Sequence, residues 1–225
     1  MQKLLFTVPV LRTLRRMALC TVLLLAGSVL AQDPAQKLRI ACAGDSITAG
    51  IRAVDMKADS YPAQLQRLLG DAYEVLNFGV GGRTLSRQAD PYAFSPALQA
   101  QPDIVICTLG TNDCKPYCWP KHKNAFVKDY TELLLLFRKR NPEVKLFVGL
   151  PPPAYEDRWG ISERVLAEEV RPAVRAVAEA VGAVLIDFDT PMRNAAHLFA
   201  DKIHPNADGY AKMAEIAAEA LRTHP

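Results

Sequence analysis

The chain has 225 residues, half of them hydrophobic, with 27 basic and 24 acidic side chains and five cysteines. Residues 1–31 hold four of the basic residues (Lys3, Arg12, Arg15, Arg16) and no acid, which leaves residues 32–225 with 23 against 24, a net of −1. That balance argues against a nucleic-acid partner or an anionic membrane surface, and the length suits one domain with a sizeable core.

Residues 1–31 read as a cleaved export signal, with an uncleaved amino-terminal anchor as the alternative. The basic stretch precedes an apolar run at residues 17–30, short of the roughly 20 residues a membrane span needs. Val29-Leu30-Ala31 then offers the small residues at which such signals are cut. Arg15-Arg16 hints only weakly at twin-arginine export, and Leu19 before Cys20 argues against a lipoprotein anchor. The expectation is an exported protein, periplasmic or secreted, with residues 32–225 as a single domain and no stable membrane insertion after cleavage.

Four cysteines remain beyond that segment. Cys42 and Cys107 fall in apolar runs and read as buried thiols. Cys114 and Cys118 flank a short loop and are close enough in sequence to be bridged. No Cys/His spacing resembles a metal site, so neither metal nor cofactor is expected.

In chain order, strand-like apolar runs fall at residues 38–43, 73–78, 103–109, 145–150 and 183–188. Residues 61–69 read as a helix and 91–99 as a weaker one. Phe126, Tyr130, Leu133, Leu134 and Phe137 recur at helical spacing. So do Ile161, Val165, Val170, Val174, Val177 and Val181, with Pro172 expected to kink or restart that helix. Pro151-Pro152-Pro153 forms a stiff loop, and Tyr210, Met213, Ile216, Ala217 and Leu221 mark a last amphipathic helix. Apolar strands separated by helices imply an α/β fold, a parallel sheet covered on both faces as a three-layer α/β/α sandwich.

The turns after these strands carry the candidate chemistry. They are Gly44-Asp45-Ser46, then Asn77-Phe78-Gly79-Val80-Gly81-Gly82-Arg83-Thr84, then Gly110-Thr111-Asn112-Asp113, and finally Asp201-Lys202-Ile203-His204-Pro205. In an open parallel sheet all four meet at one edge. A serine hydroxyl needs a base to take its proton. Among the four histidines, His204 has a carboxylate three residues earlier and a stiffening proline after it. Asp201 can then orient one ring nitrogen while the other faces Ser46. The Ser46 N–H, a glycine N–H of the second turn and the Asn112 amide are candidate donors to a developing oxyanion. Each element also has a plainer reading: a capped turn, a structural histidine at a helix start, permissive glycines, an Asx-turn. The glycine turn lacks a P-loop lysine and dinucleotide-fingerprint spacing.

Together the four blocks resemble the SGNH (GDSL-type) hydrolase superfamily over roughly residues 38–222. The resemblance implies a flavodoxin-like five-stranded parallel sheet of order 2-1-3-4-5. It implies Ser46 as nucleophile, Asp201 and His204 completing the triad, and Ser46, Gly82 and Asn112 around the oxyanion. Gly82 rather than Gly79 takes the donor role because the family uses the later glycine, just before a polar residue. Two departures are Gly81, where serine is common, and the Cys114/Cys118 loop, a candidate local disulfide.

The implied activity is serine esterase chemistry on a small-molecule or glycan ester. Among relatives of this kind are carbohydrate acetylesterases, lysophospholipases and thioesterases. Without a long apolar lid, short acyl groups on carbohydrate are the expectation. The alternatives are a lysophospholipase or thioesterase, or a non-catalytic glycan-binding derivative. Tyr117, Trp119, Tyr155 and Trp159 lie in loops at the site's edge, suited either to stacking on sugar rings or to packing those loops. Arg83 and Arg158 are either contacts for an acidic group or ordinary exposed arginines.

Overall fold

The computed structural model describes residues 37–85 and 93–224. The signal reading of residues 1–31 lies outside them. Five parallel strands, β1 (Leu38–Gly44), β2 (Tyr73–Gly79), β3 (Ile104–Thr108), β4 (Lys145–Leu150) and β5 (Val184–Asp187), pair in the order β2-β1-β3-β4-β5. This is the expected order, with strand ends shifted by at most one residue. β1 pairs with β2 from Leu38↔Tyr73 to Gly44↔Gly79 and with β3 from Ile40↔Ile104 to Gly44↔Thr108.

The helices are α1 (Ser46–Ala49), α2 (Met56–Asp59), α3 (Tyr61–Leu69), α4 (Ser95–Gln99), α5 (Trp119–Arg140), α6 (Glu163–Val165), α7 (Arg171–Val181) and α8 (Ala207–Thr223). The strands alternate their side chains between two cores, as the period of two requires. Ala41, Ala43, Val105 and Cys107 face one layer with Phe126, Tyr130, Leu134 and Phe137 of α5 and Val174, Val177 and Val181 of α7. Ile40, Cys42, Ile104 and Ile106 face the other, against Tyr61 and Leu65 of α3 and Tyr210, Met213, Ala217 and Leu221 of α8. Truncating one such large side chain to alanine costs about 2–5 kcal/mol, so the sandwich rests on both helix layers.

The weaker helix expected at residues 91–99 is the short α4, beginning at Ser95. Pro172 restarts its helix as expected: residues Leu166–Val170 widen into a π-type turn between α6 and α7. Proline has no N–H for the carbonyl four residues back, and its ring crowds that carbonyl; the wider turn makes room. The candidate Cys114–Cys118 bridge is absent, and the four cysteines of the described residues are free. The Cys114 thiol instead turns inward, donating to the Thr111 carbonyl at 3.1 Å and accepting from the Ser162 N–H at 3.4 Å. Burial pushes it up to about 11. Cys42 and Cys107, buried as expected, are pushed up to about 12, also by burial, which leaves them unreactive thiols.

Candidate active site

The connection leaving β1 runs to β2 on one side of it, and the chain then crosses back to place β3 on the other. At such a switch point the turns at the strands' carboxyl ends diverge and leave a crevice. Ser46 opens α1 directly after β1, with Asp45 as the cap: its Oδ1 accepts the Ile47 N–H at 2.9 Å. Gly50 closes the helix with φ +88, a left-handed position natural to glycine. As the first helical residue, Ser46 has no intrahelical carbonyl for its own N–H.

Across the crevice, the loop before α8 is built on Asp201. Its Oδ1 accepts the backbone N–H groups of Ile203 at 3.1 Å and His204 at 2.8 Å. The Ala200 N–H bonds the His204 carbonyl, and Asn206 caps α8 by accepting the Gly209 N–H. Backbone and ring of His204 are therefore held by one carboxylate. His204 Nδ1 lies 3.0 Å from Asp201 Oδ2, and Nε2 lies 2.9 Å from Ser46 Oγ. With Nδ1–H facing the carboxylate, Nε2 accepts the serine O–H. Ser46 is 9% exposed and His204 8%, a pair near the surface but shielded from bulk water.

Burial would raise the Asp201 carboxyl, but hydrogen bonds from the His204 backbone and ring, and from Arg52, outweigh it and hold it at about 2. The carboxylate is thus charged whenever the imidazole needs a counter-ion. Asp45, fully buried beside Ser46, moves the opposite way: burial pushes its carboxyl up to about 6 despite the Ile47 N–H.

The remaining predicted residues, Gly82 and Asn112, lie on the second and third turns and are tied to each other through Arg83. Asn112 is buried and its Nδ2 donates to the Arg83 carbonyl at 3.2 Å, tying the third turn to the residue after Gly82. Gly82 stands exposed at φ +74, in a turn closed by the Arg83 N–H to the Val80 carbonyl. One Asn112 amide hydrogen is used by Arg83; the second is geometrically independent of it.

One feature escapes sequence reasoning. Arg52 donates from Nε to Asp201 Oδ2 at 2.8 Å, although 149 residues separate them; its φ of +74, which aims the side chain, leaves no mark in the sequence. Trp159 lies with its ring centroid 5.8 Å from that of His204. Among the other loop aromatics, packing accounts for two. Trp119 is buried edge-on to Phe126, and the Tyr155 hydroxyl accepts the Ala195 N–H at 2.8 Å and donates to the Met192 carbonyl. Tyr117 is exposed. Arg83 serves its own loop, donating to the Phe78 and Ala93 carbonyls and lying 4.5 Å over Phe94. No helix of the described residues is long and apolar enough to cross a membrane.

Known proteins share this fold. Residues 42–212 match the model of the GDSL-like lipase/acylhydrolase family. An acetylxylan esterase of Xylanibacter ruminicola is 37% identical over 223 aligned positions, covering 87% of this chain and 46% of the relative. The chain thus spans about half the length of that curated relative. A carbohydrate acetylesterase family member from Sinorhizobium meliloti superposes with a TM-score of 0.64 at 21% identity, covering 83% of this chain and 98% of the other. A lipase/acylhydrolase from Enterococcus faecalis gives 0.66 at 21% identity, covering 83% and 96%. At those identities the solved structures establish the fold.

Proposed function

Because the chain belongs to the GDSL-like lipase/acylhydrolase family, we propose that it is a serine esterase that removes short acyl groups, chiefly acetyl, from carbohydrate esters. The observation that carries this reading is the 2.9 Å contact of Ser46 Oγ with His204 Nε2, backed by Asp201 at 3.0 Å on the far side of the ring. The likeness to an acetylxylan esterase supports the choice of acyl group and of alcohol. Export from the cell belongs to the same reading and rests on residues 1–31.

The reaction has two halves. Ser46 Oγ attacks the acyl carbonyl as its proton passes to His204 Nε2, and Asp201 stabilises the imidazolium that forms. The carbonyl oxygen, now an anion, takes hydrogen bonds from the Ser46 N–H, the Gly82 N–H and the Asn112 amide. Removing one such donor typically raises the barrier by about 2.7–4 kcal/mol. The C–O bond to the sugar breaks as the imidazolium gives its proton to the leaving alkoxide. Water then attacks the acyl-enzyme with the same base and releases the carboxylic acid and free Ser46.

Ser46→Ala is the direct test. Turnover of p-nitrophenyl acetate is expected to vanish while the circular dichroism spectrum stays that of the parent. Retained turnover would remove Ser46 from the mechanism. Rates across acetyl, butyryl and longer acyl esters are expected to fall with chain length; a maximum at long chains would replace the substrate class by a lipid.

A further inference from the structure

Trp159 takes no part in the chemistry just described, yet its backbone is held in a costly shape. Arg158 and Ile161 exchange both backbone hydrogen bonds, at 3.2 and 2.8 Å, around a two-residue turn. Trp159 and Gly160 occupy its centre with φ of +51 and +78. Such turns favour asparagine or glycine at both positions. A bulky residue there is an outlier that costs of order 1–3 kcal/mol.

The surrounding chain fixes the turn firmly. Asp157 accepts the Ser162 hydroxyl at 3.0 Å and the Glu163 N–H at 3.1 Å. Glu163 in turn accepts the Ala154 N–H at 2.7 Å and pairs at 2.7 Å with Arg171, a buried arginine that also binds the Pro151 and Pro152 carbonyls. The indole so held is 47% exposed, with the Arg158 guanidinium 4.6 Å over its ring.

Trp159 also lines a cleft of about 530 Å³ whose wall combines Trp119 and Val165 with Arg158, Asp157, Lys123 and Glu169. That volume is ordinary for a small-ligand site. Much of the wall's charge is already satisfied: Lys123 lies 3.6 Å from Glu169, which also accepts the Trp119 indole N–H at 2.7 Å. Paired charges give little attraction for an ionic ligand, and the wall sets these polar groups beside apolar ones, Pro120, Ile161 and Val165 among them. An aromatic ring beside planar donors and acceptors matches a molecule with an apolar C–H face and a rim of hydroxyls.

We propose that this cleft binds a neutral pyranose chain, the sugar units next to the one that bears the ester, and that Trp159 is the specificity-determining platform at its mouth. The proposal rests on the carbohydrate-ester reading above, and its position beside His204 is what links binding in the cleft to the reacting serine.

The test uses xylohexaose, which has no ester, with the Ser46→Ala protein in a calorimetric titration. Saturable binding is expected, weakened about tenfold or more by adding Trp159→Ala and largely restored by Trp159→Tyr. Absence of saturable binding, or equal affinity in the Trp159→Ala protein, overturns the proposal. A second measurement needs no variant at position 159: oxidation of Trp159 by N-bromosuccinimide, followed by peptide mass spectrometry, is expected to slow at saturating xylohexaose. Undiminished oxidation overturns the proposal. If xylohexaose binds and protects Trp159 while the unaltered protein releases no acetate from acetylated xylo-oligosaccharides, the subsite stands and the esterase reading fails.

Discussion

Asp45 and Asp201 flank the Ser46–His204 pair, and the fold drives their protonation in opposite directions. Burial lifts Asp45 to about 6; for Asp201, burial is outweighed by hydrogen bonds that hold it at about 2. The consequences for stability have opposite signs. Asp201 stabilises the fold above the ordinary carboxylate value near 3.9, and that contribution is lost as pH falls toward about 2. Asp45 has a raised value in the fold, so its contribution is complete below about 3.9 and is lost as pH rises toward about 6. Replacing Asp45 by asparagine keeps an acceptor for the Ile47 N–H and removes the titration. Relative to Asp45→Asn, the parent is therefore expected to lose about 2 kcal/mol between pH 4 and pH 6. Urea denaturation of both proteins across that range checks this. A constant difference would mean that Asp45 titrates normally in the fold.

Among the elements, the short helix α1 matters most because it carries Ser46, and it owes its position to β2. A Cβ on Gly79 would lie 2.1 Å from the Ala49 backbone nitrogen, and one on Gly44 2.7 Å from the Thr108 carbonyl oxygen. Asn77 fastens the same contact, donating to the Thr48 carbonyl at 2.9 Å and accepting the Gly79 N–H at 2.9 Å. Gly79 is thus a packing glycine, which separates it from the exposed Gly82. Gly79→Ala forces backbone from backbone, and overpacking of this kind costs about 1–3 kcal/mol. The expected result is a lower melting temperature together with a reduced kcat on p-nitrophenyl acetate, since α1 shifts Ser46 from His204. Unchanged kcat and melting temperature would show that α1 and β2 do not press on one another.

Legibility followed from range. Strands and helices came through because apolar periodicity is written in neighbouring residues, and so did the Asp201–His204 spacing, which one loop sets. Arg52 and the Trp159 turn did not come through, because both depend on positive φ values and on contacts far along the chain. The Cys114–Cys118 pairing stayed open in the sequence for a related reason: proximity along the chain says nothing about which way each side chain turns, and both thiols are free.

For the molecule as a whole, the strand order converts distance along the chain into contact. Ser46 and His204 are 158 positions apart, and the sheet sets one at the front of α1 and the other before α8, 2.9 Å from each other. A parallel sheet with helices on both faces provides the rigid frame this needs, since neither loop could hold the geometry alone. The most direct measurement is covalent labelling with a fluorophosphonate, followed by peptide mass spectrometry of the full-length protein. The label is expected on Ser46, absent in Ser46→Ala and slowed by orders of magnitude in His204→Ala. Labelling at another residue, or at an undiminished rate without the imidazole, would contradict the account.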